Sequence, residues 1–201
     1  HSGQGCAIPT RLLIPRARLA EAEALVTAYL GGLSYGSLDT SAEMQGPLIS
    51  ERQRQRVLAY IEQGKAEGAR LLMGGGVPAH LKRGFFVEPT VFSDVDNSMS
   101  IAREEIFGPV LVIIPYDSEA DALRIANDSI YGLSGAVYSA SEERAMNFAS
   151  RVRSGTMMVN GGNFLGPDAP FGGYKQSGNG REMGPEGFEE YLETKTVAVA
   201  V

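Results

Sequence analysis

Cysteine is almost missing from this chain: Cys6 stands alone in 201 residues. A single thiol excludes an internal disulfide framework and a cysteine-rich metal site. Histidine is nearly as scarce, and His1 and His80 lie too far apart for metal spacing. No apolar run approaches the ~20 residues of a membrane span, and no signal-peptide pattern is present. Those absences make a reducing, cytoplasmic compartment the default expectation. Positive charge is short as well. Lys and Arg number 18 against 24 Asp and Glu, a net charge of −6 that argues against a nucleic-acid surface.

Glycine is the residue in excess, 25 of 201 against a usual ~7%. The glycines are scattered, so they signal tight turns and close backbone approaches, not low complexity. The length allows one domain of generous size, or one domain with an appendage.

Strand-like and helix-like stretches alternate. Residues 12–14 read as a short buried strand closed by Pro15, and residues 17–30 as a helix ended by Gly31-Gly32. Ser50 starts a second helix over 51–65, with Val57, Leu58 and Ile61 on one face. Strands are expected over 69–73 and 85–92, the latter an edge or bulge because of Pro89. The continuous apolar run 110–116 fits a strand covered on both faces. Ser118 caps a helix that ends near Asn127-Asp128. Then come a strand over 134–138, a helix over 142–151 with Ser139 and Glu142 as capping box, and a strand over 156–159. This order predicts an α/β fold, a mostly parallel βαβ sheet covered by helices. The tail, 194–201, alternates as a strand with Val197, Val199 and Val201 on one face. Alone it would be an aggregation-prone edge, so it is expected to pair outside the chain.

Three loops carry candidate chemistry. The first is His1-Ser2-Gly3-Gln4-Gly5-Cys6-Ala7-Ile8. A lone cysteine more often packs as a small hydrophobe than reacts. Here small neighbours leave room for a carbonyl carbon to reach the sulfur. A Gly-rich turn can also aim N–H groups at a developing oxyanion. The second is Glu104-Glu105-Ile106-Phe107-Gly108-Pro109, ahead of the buried strand. A carboxylate there can accept hydrogen bonds from both hydroxyls of a ribose, and a neighbouring ring can pack on a flat cofactor ring. A solvated acidic turn with a core Phe is the plainer alternative. The third is the long Gly-rich stretch 160–180, whose Phe164, Phe171 and Tyr174 suggest the wall of a pocket. Gly178-Asn179-Gly180 with Gly184 is not a dinucleotide fingerprint: the spacing is one residue too long and no βαβ unit follows.

Together these loops resemble the aldehyde dehydrogenase superfamily. Gly3-Gln4-Gly5-Cys6 followed by Arg11 looks like its cysteine signature. Glu105-Ile106-Phe107-Gly108-Pro109 looks like its cofactor-contacting motif. Pro170-Phe171-Gly172-Gly173-Tyr174-Lys175, with Ser177-Gly178 and Gly180-Arg181-Glu182, resembles its late Gly-rich segment. The resemblance implies Cys6 as nucleophile, passing through a thiohemiacetal and a thioester. It implies Glu105 and, more weakly, Gln53 on the nicotinamide ribose of NAD or NADP, with Phe107 beside the nicotinamide. Gly5, Ala7, Leu165 and Phe171 would line a mostly apolar aldehyde pocket, and Asn160 would support the site.

The resemblance further implies a catalytic domain over 1–176, a tail helix over 177–191 and an oligomerisation arm over 192–201 serving a homodimer or homotetramer. The family's cofactor domain and its water-activating glutamate lie upstream of the cysteine. The chain is therefore expected to be the C-terminal catalytic part of a longer enzyme, inactive by itself. A CoA-acylating or phosphorylating relative is an open alternative, as is a non-catalytic scaffold.

Overall fold

The computed structural model describes residues 1–36, 45–162 and 166–200. It divides into two compact units, 1–129 and 130–201.

The first unit is built on a four-stranded sheet in the order β1-β4-β3-β2. Its strands are β1 (Arg11–Pro15), β2 (Arg70–Met73), β3 (Thr90–Ser93) and β4 (Val110–Tyr116). β4 lies parallel to both neighbours, with Leu13 opposite Ile114 in β1 and Val91 opposite Leu111 in β3. β2 runs antiparallel to β3, with a register shift between Leu71 and Met73. The expected mostly parallel sheet is present. Pro115 is tolerated in β4 because the ladder to β3 stops at Val112. Pro89 falls outside β3, which is shorter than expected and buried at every position, so it is an interior strand and not an edge.

Helix α1 (Leu19–Gly31) follows a 3-10 turn at Arg16–Arg18, and none of its residues is fully buried. Helix α2 (Glu51–Ala66) is capped by the Ser50 hydroxyl, which accepts from the Gln53 N–H at 3.2 Å. It buries Val57, Ile61 and Gly64. Gly64 is required there because a Cβ would stand 2.9 Å from Ile101 Cδ1. A short helix α3 (Ser100–Arg103), which the sequence did not suggest, adds Ile101 and Ala102 to the same core. Helix α4 (Glu119–Asn127) starts at Ser118 as expected, the hydroxyl accepting from Asp121 N–H at 3.1 Å.

Arg11 belongs to this scaffold. Its guanidinium donates to the Ile125 and Ala126 carbonyls at the end of α4 and to Asn97 Oδ1 at 2.7 Å. Burial holds it below the usual arginine value, while Asp128 opposes. Buried Asn97 in turn donates to the carboxylate and carbonyl of Asp128. Asn97→Ala is expected to destabilise the protein by about 2 kcal/mol, read by urea unfolding, because it breaks a partly buried polar network. The Asp128 carboxyl sits below the ordinary carboxylate range, chiefly through the Asn97 hydrogen bond and then Arg103. A depressed carboxyl contributes stability above the unfolded value of ~3.9 and loses it as pH falls through the folded one. The Asn97→Ala penalty should therefore shrink in acid.

The second unit holds a parallel βαβ crossover followed by mostly irregular chain. β5 (Ser134–Val137) and β6 (Thr156–Val159) pair in parallel across helix α5 (Glu142–Ala149). Ser141 caps α5, not Ser139. The Ser139 hydroxyl instead accepts from Ser141 N–H, one step upstream. Gly155 passes so close to Gly172 that a Cβ would meet the Gly172 carbonyl oxygen at 1.7 Å, which fixes the Gly-rich stretch onto β6. A 3-10 turn at Lys175–Ser177 precedes helix α6 (Gly184–Glu189), shorter than the helix expected over 177–191. Residues 192–200 form no strand pairing among the described residues, so the alternation of Val197 and Val199 has no ladder partner there.

Candidate active site

Two successive turns build the cysteine loop. Gln4 N–H donates to the His1 carbonyl at 3.0 Å, and the central residues Ser2 and Gly3 both have positive φ, 56° and 72°. Ile8 N–H donates to the Gly5 carbonyl at 3.3 Å, which makes Cys6 the first central residue of the next turn. A β-turn uses the N–H of its fourth residue and leaves that of its second unclaimed. Accordingly the Cys6 N–H donates no hydrogen bond among the described residues. The thiol is exposed. Cys6 thus presents an exposed sulfur and, among the described residues, an unclaimed amide N–H on one residue.

Gln4 fastens this loop to the approach of α2. Its Oε1 accepts from Ile49 N–H at 2.9 Å, and its Nε2 donates to the His1 carbonyl at 3.0 Å. The buried Ser2 hydroxyl donates to the Gly46 carbonyl.

The 104–109 loop packs directly on the cysteine loop. A Cβ on Gly3 would fall 2.0 Å from the Gly108 carbonyl oxygen, and a Cβ on Gly108 would fall 2.4 Å from Val57 Cγ2. Gly108 is therefore pinned between the cysteine turn and α2. Glu105 is exposed, and Phe107 keeps 36% of its surface. Phe107 sits at φ 61°, an uncommon region for an aromatic residue that costs about 1–3 kcal/mol.

Side chains of α2 hold this conformation. Gln53 Nε2 donates to the Ile106 carbonyl at 3.1 Å and the Phe107 carbonyl at 2.8 Å. Arg56 Nη2 donates to the Glu105 carbonyl at 2.8 Å. The Tyr60 hydroxyl donates to the Glu104 carboxylate at 2.6 Å. The structure thus gathers Cys6, Gly5, Ala7, Glu105 and Phe107 on neighbouring loops of the first unit, with Gln53 beside them on α2. Gln53, expected at a ribose, has its amide nitrogen committed to the loop backbone.

Phe171 lies in the second unit, where its N–H and carbonyl both bond Glu182 at 2.7 Å. Leu165 falls outside the described residues. Asn160, at φ 49°, clasps Ser139, accepting from its N–H at 2.9 Å and donating to its carbonyl at 3.0 Å. Sequence reasoning missed Gln4, Arg56 and Tyr60. The only available signal was the spacing 53/56/60, which places three hydrogen-bonding side chains along one side of a helix.

The family model described as aldehyde dehydrogenase matches residues 1–197. The chain belongs to the aldehyde dehydrogenase family. Its sequence is 52% identical to a 3-succinoylsemialdehyde-pyridine dehydrogenase of Pseudomonas sp., over 98% of this chain and 41% of that protein. Its structure is similar to a Mycobacterium tuberculosis aldehyde dehydrogenase complexed with NAD+, at TM-score 0.95 and 52% identity, covering 99% of this chain and 41% of that one. A mutant of aldehyde dehydrogenase C from Pseudomonas syringae, solved with NAD+ and octanal, matches at TM-score 0.93 and 50% identity, over 96% of this chain and 40% of that one. The chain therefore spans about 41% of the length of the family members it matches. No helix among the described residues is long and apolar enough to cross a membrane.

Proposed function

We propose that this chain supplies the nucleophile and part of the cofactor site of an NAD(P)-dependent aldehyde dehydrogenase that oxidises an aldehyde to a carboxylic acid. The observation that carries this reading is the backbone contact of Gly3 with Gly108, which sets Cys6 beside the Glu105–Phe107 loop. The family's aldehyde chemistry and the NAD+ in its solved relatives support it.

The residues present suit a dinucleotide. Three consecutive carbonyls, of Glu105, Ile106 and Phe107, are taken up by α2, so the loop meets a ligand with side chains. The exposed Glu105 carboxylate can accept from the ribose hydroxyls, and the exposed part of the Phe107 ring can pack on the nicotinamide. Bound there, the nicotinamide supplies the hydride acceptor.

Cys6 sulfur adds to the aldehyde carbon. The carbonyl oxygen takes the negative charge and is stabilised in part by the unclaimed Cys6 N–H. Loss of hydride from that carbon leaves a thioester on Cys6. Water then attacks the thioester, the C–S bond breaks, and the acid and the thiol are released. Gly5 and Ala7 keep the approach to sulfur open, and Leu165 and Phe171 are assigned to the apolar pocket by motif. Gln53 keeps its place at the cofactor side, as a holder of the loop through its amide nitrogen. The domain layout over 1–176, 177–191 and 192–201, the tail-mediated homodimer or homotetramer, a cytoplasmic setting and the inactivity of this chain alone are parts of the same reading.

The test is NADH formation by the full-length protein across a panel of aldehydes, with Cys6→Ala as the blank. Turnover that disappears in the blank supports the reading, and turnover that survives in it removes Cys6 from the chemistry.

A further inference from the structure

We propose that Arg56 and Tyr60, together with Gln53, are positioning residues that set the cofactor loop. This deepens the reading above and rests on it, because it takes the 104–109 loop as the cofactor's. The three residues stand at i, i+3 and i+7 on α2, so one side of the helix faces the loop. Between them Gln53 and Arg56 receive the carbonyls of three successive residues, 105 to 107. Tyr60 takes the Glu104 carboxylate, accepts from Arg56 Nη2 at 3.2 Å and lies under the Arg56 guanidinium at 4.9 Å.

The arrangement does two things. It offsets the strain of Phe107 in left-handed backbone, which an aromatic residue does not adopt unaided. It also separates two adjacent carboxylates by role. Glu104 is tied to Tyr60, while Glu105, among the described residues, is held through its backbone carbonyl and is itself exposed. Core packing does not need these bonds. α2 is anchored by Val57, Ile61 and Gly64 and capped by Ser50, whereas Arg56 is exposed.

The experiment is made on the full-length protein with Arg56→Met, which keeps an apolar stem without a donor, and Arg56→Lys, which restores one. Hydrogen exchange at residues 105–108 reads the clamp, and KM for NAD+ against kcat reads its purpose. In Arg56→Met, exchange is expected to speed up and KM for NAD+ to rise about fivefold, with kcat and the aldehyde KM within about twofold. Arg56→Lys should return most of the KM. Tyr60→Phe, which loses one hydroxyl, should move KM in the same direction by about twofold, and it serves if Arg56→Met does not fold. Unchanged exchange and unchanged KM would mean that no clamp exists. Faster exchange with unchanged KM would leave the clamp standing but overturn the proposal, because the loop would then not be the cofactor's. Loss of kcat and both KM values together, with no rescue by lysine, would make these residues merely structural.

Discussion

Gly3→Ala is expected to lower folding stability by about 3 kcal/mol and aldehyde turnover of the full-length protein by about 100-fold or more. Two independent costs combine at this position. The backbone stands at φ 72°, where any Cβ is strained. The new methyl would also lie 2.0 Å from the Gly108 carbonyl oxygen and 2.5 Å from its carbon. Both are backbone atoms, so no side-chain rotation relieves the clash. Only separation of the two loops does, and that moves Cys6 away from Glu105 and Phe107. Gly5→Ala is the control. Its Cβ would meet side-chain atoms of His1 and Ile8 at 2.9 Å, which can swing aside. Thermal unfolding compares the pair, while turnover is read for Gly3→Ala alone, because Gly5 itself lies beside the sulfur. If the two variants behaved alike, the close approach of Gly3 to Gly108 would not be what joins the loops.

Cys6→Ser should do the opposite, leaving stability within about 0.5 kcal/mol while turnover falls ~10³-fold or more. The side chain is exposed and changes by one atom, so the fold has nothing to lose. A neutral hydroxyl is a far poorer nucleophile than a cysteine sulfur. The result to look for is an intact cooperative melt beside a dead enzyme. A shifted melt would instead mean that Cys6 packs, as lone cysteines usually do.

Much of the framework was legible because it rests on local chemistry. The apolar run of β4, the Ser50 and Ser118 caps and the helical spacing of Val57 and Ile61 all sit in sequence where the structure uses them. A boundary shifted where a competing acceptor decided the outcome. Ser141 displaced Ser139 as the cap of α5. Residues 192–200 alternate as a strand does but form no ladder among the described residues.

The site divides the same way. Cys6, Glu105 and Phe107 were named from motifs, and the structure brings the loops that carry them together. The holding roles of Gln4, Arg56 and Tyr60 were not named, because their partners, Ile49 N–H, the Glu105 carbonyl and the Glu104 carboxylate, lie more than forty residues away in sequence. Gly3 and Gly108 were named only as members of two separate motifs. Their mutual contact is a long-range fact that only the fold reveals.

The most direct test of a Cys6-centred oxidation is the mass of the cysteine-bearing peptide after acid quench of the full-length protein mixed with aldehyde and NAD+. Cys6 is expected to carry the acyl group of the aldehyde when both are present, and neither alone should leave it acylated. Steady turnover with Cys6 never acylated, or with the acyl group on another residue, would contradict the account.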